Sequence, residues 1–167
     1  MNGNLYVAPF MINPYFKENE IDIMRVYSRW DHSFCIDKDG KVYLFGCNEW
    51  GQIGNGTVYS VYDPHLFQSM EGYKDVVIID GSCGRNHTVL LDKDRKRIYT
   101  FGWNKYNVCT GDDMDDKLKK AKKKNNKKSK KRLIPCMVTM DMIDKRKNGQ
   151  IIERVIAGDN ATLIVCY

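Results

Sequence analysis

The sequence predicts an all-β chain in which a four-stranded antiparallel sheet recurs about three times, and three observations carry that reading. "HSFCIDKDGKVYLFGCN", from His32, is spelled again with changes as "HTVLLDKDRKRIYTFGWN", from His87, 55 residues later. Short runs rich in β-branched and aromatic residues alternate with turn signals along the chain. No segment of eleven or more residues has a helical apolar period, apart from a lysine tract with no apolar face to bury. A fixed period holding four short strands describes the blades of a partial β-propeller, because a lone sheet has two faces that only neighbouring blades can cover.

The elements follow in order. Residues 1–22 read as the end of an incomplete first repeat, 23–76 as a repeat, 77–150 as a repeat carrying a basic insertion at 113–132, and 151–167 as the start of another. His32 matches His87, and Asp37 matches Asp92. After one extra residue in the second copy, Tyr43-Leu44-Phe45-Gly46 matches Tyr99-Thr100-Phe101-Gly102, and then Asn48 matches Asn104 and Trp50 matches Tyr106. Pro9 precedes His32 by 23 residues, as Pro64 precedes His87. Pro135 precedes a third copy in which Gly158 stands for Gly84 and Ala161 for His87. Between the two central strands of each copy lies Asp-Lys-Asp, a hairpin turn, with Gly40 supplying a residue that tolerates positive φ. "DVVIID" predicts a strand before the hairpin, and "PHLFQSM" and "PCMVTM" predict a weaker one after each proline.

Composition bounds the class. The 167 residues are 43% apolar and 29% charged, enough for one sizeable core. No apolar run approaches the roughly 18 residues of a membrane span, and the start lacks the basic-then-apolar order of a secretory signal. A nuclear or cytoplasmic protein is expected. Six cysteines, none in a C-x-x-C pair, read as buried inert thiols in a reducing compartment rather than as a zinc site. The formal charge of +6 is concentrated: eleven of the sixteen residues from Lys117 to Arg132 are Lys or Arg, and without them sixteen basic residues face 21 acidic ones.

The segments "GSCGRNHTVLL" and "KVYLFGCNEWGQIGNG" and the trailing proline together resemble the regulator of chromosome condensation repeat. "GCNEWGQIGNG" is the most specific part, and the likeness runs from about residue 9 to 167. The resemblance implies a seven-bladed β-propeller, with His32, His87, Gly46, Gly102, Gly51, Gly54, Gly84 and Gly158 as residues of the repeat's architecture. The founding members are exchange factors for the Ran GTPase that also bind chromatin. Departures mark degeneracy: Arg29 stands where the second copy has Gly84, and Asn107 and Thr110 replace Gly51 and Gly54. Thr110 adopts a left-handed backbone poorly, so the second loop is expected to be rebuilt. About three blades would leave open edges and faces, which implies a larger propeller or completion by self-association.

Candidate chemistry gives way to the repeat. Asp31-His32-Ser33 holds the residue types of a hydrolase triad, but strand neighbours point to opposite faces, and a catalytic histidine would not recur as His87. "DGSCG" around Cys83 lacks the flanking residues of a thiol protease. Gly46 and Gly51 have phosphate-loop spacing, but Gln52 and Ile53 replace the phosphate and magnesium ligands. Asp37-Lys38-Asp39-Gly40 places its glycine too early for a calcium loop. The sequons at Asn55, Asn86 and Asn160 reflect repetition. No catalytic residue, metal or cofactor is expected.

The lysine-rich stretch is the one feature that the repeat does not need. Self-repulsion and the lack of apolar residues predict disorder. It reads as a solvated insert, as an import signal centred on Lys127, Lys128, Lys130, Lys131 and Arg132, or as a sequence-blind phosphate contact. The function that emerges is a non-enzymatic protein-interaction scaffold presenting blade-end loops to a protein partner. The alternatives are nucleotide exchange on a Ran-like small GTPase with chromatin association, and nucleic-acid contact through the lysine-rich insert.

Overall fold

The computed structural model describes residues 14–105, 131–139 and 150–167. A short helix α1 (Pro14–Glu18) precedes ten strands: β1 (Ile23–Arg29), β2 (His32–Asp37), β3 (Val42–Gly46), β4 (Val61–Leu66), β5 (Ile78–Cys83), β6 (His87–Asp92), β7 (Arg97–Trp103), β8 (Lys131–Thr139), β9 (Ile152–Ala157) and β10 (Thr162–Cys166). They form three antiparallel sheets in sequence order, β1-β2-β3-β4, β5-β6-β7-β8 and the pair β9-β10. Among the described residues there are thus two four-stranded blades and the first two strands of a third. The first strands of successive blades lie side by side, β5 touching β1 on one side and β9 on the other. That convergence is the radial arrangement of a propeller.

Alternating side chains explain the stacking. From β2, Phe34 and Ile36 point into a core shared with Leu90 and Tyr99 of the second blade, while Cys35 points the other way onto Phe16 and Tyr43. From β6, Leu90 faces the first blade, and Val89 and Leu91 pack on Ile152, Val155 and Ala157 of the third. Both faces of β6 are covered, so all six of its residues are buried, which is why "HTVLLD" reads as a near-continuous apolar run rather than an alternating one.

The blades are also joined through their backbones. Gly40 has φ of 78° in the hairpin turn, and its carbonyl accepts from Ile78 N at 2.9 Å, where the second blade begins. One period on, Arg95 takes the same role at φ of 57°, its carbonyl accepting from Ile152 N at 2.7 Å. The aspartate that opens each turn braces it: Asp37 Oδ1 accepts from Asp39 N and Lys41 N, and Asp92 Oδ1 from Asp94 N.

Three details differ from the sequence-based expectation. Pro64 and Pro135 lie within β4 and β8 instead of preceding them, and each falls in a register shift, opposite Leu44/Gly46 and Thr100/Gly102. Outer strands tolerate proline at such bulges because no ladder hydrogen bond is lost. The end of "PHLFQSM" is a 3₁₀ turn, Phe67–Ser69, that drives Phe67 against Tyr73, Tyr99 and Phe101. Lys131 and Arg132, assigned above to the basic insertion, begin β8 and pair with Trp103 and Gly102. Pro9, Asn107, Thr110 and the basic residues from Lys117 to Lys130 lie outside the described residues.

Candidate functional site

The β1–β2 turns and the β3–β4 connections share one end of the blades, since Cys47 N donates to Asp31 O at 2.7 Å and Trp103 N to Asn86 O at 2.8 Å. Most of the residues that repeat there are engaged in holding blades together. His32 Nε2 lies 3.0 Å from Thr88 Oγ1, and Thr88 Oγ1 itself donates to Gln52 O at 2.7 Å. The hydroxyl proton being committed to Gln52, His32 must donate from Nε2, which leaves Nδ1 as a bare acceptor without a partner. His87 repeats the contact one blade on, with Nε2 at 3.1 Å from Thr162 Oγ1. Burial, reinforced by the neighbouring His87 ring, pushes His32 down to about 4; burial and the Arg29 charge push His87 down to about 4. Both rings are neutral at pH 7.

The glycines that repeat lie around this clamp. Gly46 and Gly102 pair directly with His32 and His87 across the hairpin. Gly84 lies against the His87 ring so closely that a Cβ there would overlap Cε1 and Nδ1, and Gly158 O accepts from Arg85 N. The first blade's β3–β4 loop then folds onto the second blade. Fully buried Asn48 holds it in shape, donating to Asn55 Oδ1 and Thr57 O and accepting from Ile53 N. Gly51 lies on Leu133, Gly54 on the Phe101 ring, and Ile53 is fully buried.

These contacts bear on three of the chemical alternatives. Ser33 Oγ donates to Ser28 Oγ while His32 turns to Thr88, so Asp31, His32 and Ser33 do not converge. Burial pushes the Cys83 thiol up to about 12 and Cys35 up to about 11, opposite to what a thiolate nucleophile needs. Asn55 Oδ1 is turned into its own loop by Asn48 and Thr57.

What remains at this end is a set of exposed or half-exposed side chains, most of them at positions that vary between blades. The three tryptophans of the sequence, Trp30, Trp50 and Trp103, all lie here. Trp50 and Trp103 meet edge to face at 6.4 Å, with Lys131 Nζ 5.0 Å from the Trp50 ring and donating to Glu49 O at 2.8 Å. Trp30, Arg85 and Asp159 occupy the same turn position in three successive blades. Arg85 lies 4.8 Å over the Trp30 ring. Arg29, a departure from the repeat in sequence, reaches past the second blade to Ala157 O at 3.2 Å and Asp159 Oδ1 at 3.1 Å. Of the import or phosphate candidates, Lys131 and Arg132 are at this end; Lys127, Lys128 and Lys130 lie outside the described residues.

Blades stacked through a repeated His–Thr clamp define a repeat protein of the β-propeller class. In comparison with known proteins, a model for the regulator of chromosome condensation (RCC1) repeat matches residues 39–91, and a second matches residues 78–107. The two matches together span residues 39–107, which are similar to this repeat. A Protein RCC2 homolog of Danio rerio is 40% identical over 74 residues, covering 44% of this chain and 14% of the relative. Human WBSCR16 superposes with a TM-score of 0.63 at 12% identity over 88% of this chain and 32% of that one. Prp20p of Saccharomyces cerevisiae, whose structure was reported with its binding properties to Gsp1p and histones, gives a TM-score of 0.60 at 22% identity over 86% and 31%. The chain therefore spans about a third or less of the length of these relatives.

Proposed function

We propose that this chain is a non-enzymatic protein-interaction scaffold that presents the turn tips and loops at one blade end to a protein partner. One observation carries the reading: polar residues that recur, His32, His87, Asp37, Asp92 and Asn48, are engaged in bracing, whereas positions that vary between blades place Trp30, Trp103 and exposed cations at the end that also holds Trp50. Trp and Arg are the residue types that dominate protein interfaces. The test is a comparison of proteins retained from nuclear and cytoplasmic extracts by the chain and by a Trp30→Ala/Arg85→Ala variant of equal thermal stability. Loss of specific retained proteins supports the reading, and identical retention overturns it.

A second reading is nucleotide exchange on a Ran-like small GTPase, favoured by the fold shared with the yeast protein studied for Gsp1p and histone binding. Acceleration of nucleotide release at micromolar chain tests it; an unchanged rate removes it. If the basic stretch directs nuclear import or contacts phosphate, Lys127, Lys128 and Lys130 are the residues to carry it, since Lys131 is held by Glu49 O and the Trp50 ring and Arg132 is within β8. Equal nuclear signal with and without those three lysines counts against import.

A further inference from the structure

From the geometry of the β1–β2 turns we infer that Trp30 and Arg85 together form a docking point for an acidic protein segment, a proposal that rests on the scaffold reading and names its partner chemistry. Trp30 combines two properties that folding alone does not favour. Its backbone is left-handed, φ 54°, in a conformation that bulky residues rarely adopt, and its indole is 59% exposed at a turn tip. The equivalent tips, Arg85 and Asp159, are not at positive φ. A strained, exposed aromatic held at a tip is a feature that binding explains better than stability does.

The charges around it set the partner's sign. Asp159, the third tip, is paired with Arg29, which also donates to Ala157 O. Arg85 is exposed and has no ion-pair partner among the described residues, its guanidinium resting on the Trp30 ring. Among the described residues, Asp31 and Glu49 are exposed carboxylates at this end besides the paired Asp159, set against Arg85, Lys131 and Arg132. A cation fixed over an indole presents a positioned donor to a carboxylate and leaves the indole edge for an adjoining apolar side chain. Because Arg85 already covers an indole face, and Lys131 a face of Trp50, stacking of nucleobases on these rings is less favoured than carboxylate pairing.

The experiment follows the three indole N–H signals of the full chain by NMR, with the Trp30 signal assigned through Trp30→Phe, during titration with hexaglutamate and, separately, with the single-stranded hexanucleotide of thymidine. The expected result is a saturable shift of the Trp30 signal with hexaglutamate, an apparent Kd at least about tenfold weaker in Arg85→Glu, and no saturable shift with the oligonucleotide. The Trp50 and Trp103 signals report that the variant is folded. A Trp30 signal unmoved by hexaglutamate, a shift unchanged in Arg85→Glu, or an equal shift with the oligonucleotide overturns the proposal. None of these outcomes decides the scaffold reading, which stands or falls on the retention comparison.

Discussion

His32 on the first blade and Thr88 on the second meet at 3.0 Å between Nε2 and Oγ1, and this contact recurs one blade later between His87 and Thr162. The repeat is therefore a rule for joining blades as much as for building them: each histidine closes the gap to the next sheet, and the buried aspartate of the hairpin turn shapes the opposite end. Ala161 breaks the series, so the third blade carries no such histidine on its far side.

The clamp makes stability depend on pH. Each histidine is lowered from an ordinary 6.5 to about 4 in the folded chain, so the unfolded chain takes up protons first as pH falls. The full contribution is present above pH 6.5, is lost as pH falls from 6.5 toward 4, and levels off below. The expected loss is about 3 kcal/mol per histidine. Urea unfolding at pH 7 and pH 4.5 measures it, and His32→Gln should flatten the pH dependence by about half.

Gly84→Ala should be costly because the new methyl overlaps the His87 ring and crowds Gly158 O. Overpacking of this kind costs about 1–3 kcal/mol. Gly72→Ala is the control: its φ is +86° with open space around it, so only the left-handed backbone is penalised, by about 1 kcal/mol. Chemical unfolding of the two variants checks the order.

Ile53→Ala removes a fully buried side chain that the first blade's loop places among Phe101 and Phe67. The expected cost is about 2–5 kcal/mol. Hydrogen exchange should show lost protection in β7 and β8 as well as in the loop's own blade.

Arg29→Ala separates electrostatics from packing. Its ion pair with Asp159 is exposed on both sides, so stability should change by less than about 1 kcal/mol. The His87 pKa should nonetheless rise, since the Arg29 charge opposes protonation of that ring. An NMR titration of the His87 ring reads the change.

The parts of the fold that were legible in the sequence are those written in strand periodicity and in recurrence. The strands containing His32 and His87, the Asp37 and Asp92 turns and the glycine positions were all visible. Recurrence marks a residue as architectural but does not say across which gap it acts, so Thr88 and Thr162 as histidine partners became visible only once the sheets stacked. Arg29 registered in sequence as a departure from the repeat; its partner, Asp159, lies 130 residues away. The boundary at Lys131 was missed because the charge of Lys131 and Arg132 masked the start of the strand "KRLIPCMVT", in which only Pro135 and Val138 are buried. The grouping of all three tryptophans at one end follows from the equivalence of turns, a signal available in sequence only after the strands are aligned in space.

A double-mutant cycle on His32 and Thr88 tests the clamp most directly. His32→Ala, Thr88→Val and the pair, measured by urea unfolding at pH 7, should show a coupling of about 1 kcal/mol or more, while His32→Ala with Thr162→Val should be additive. Additivity of the His32 and Thr88 changes would contradict the account of blades joined through their repeated histidines.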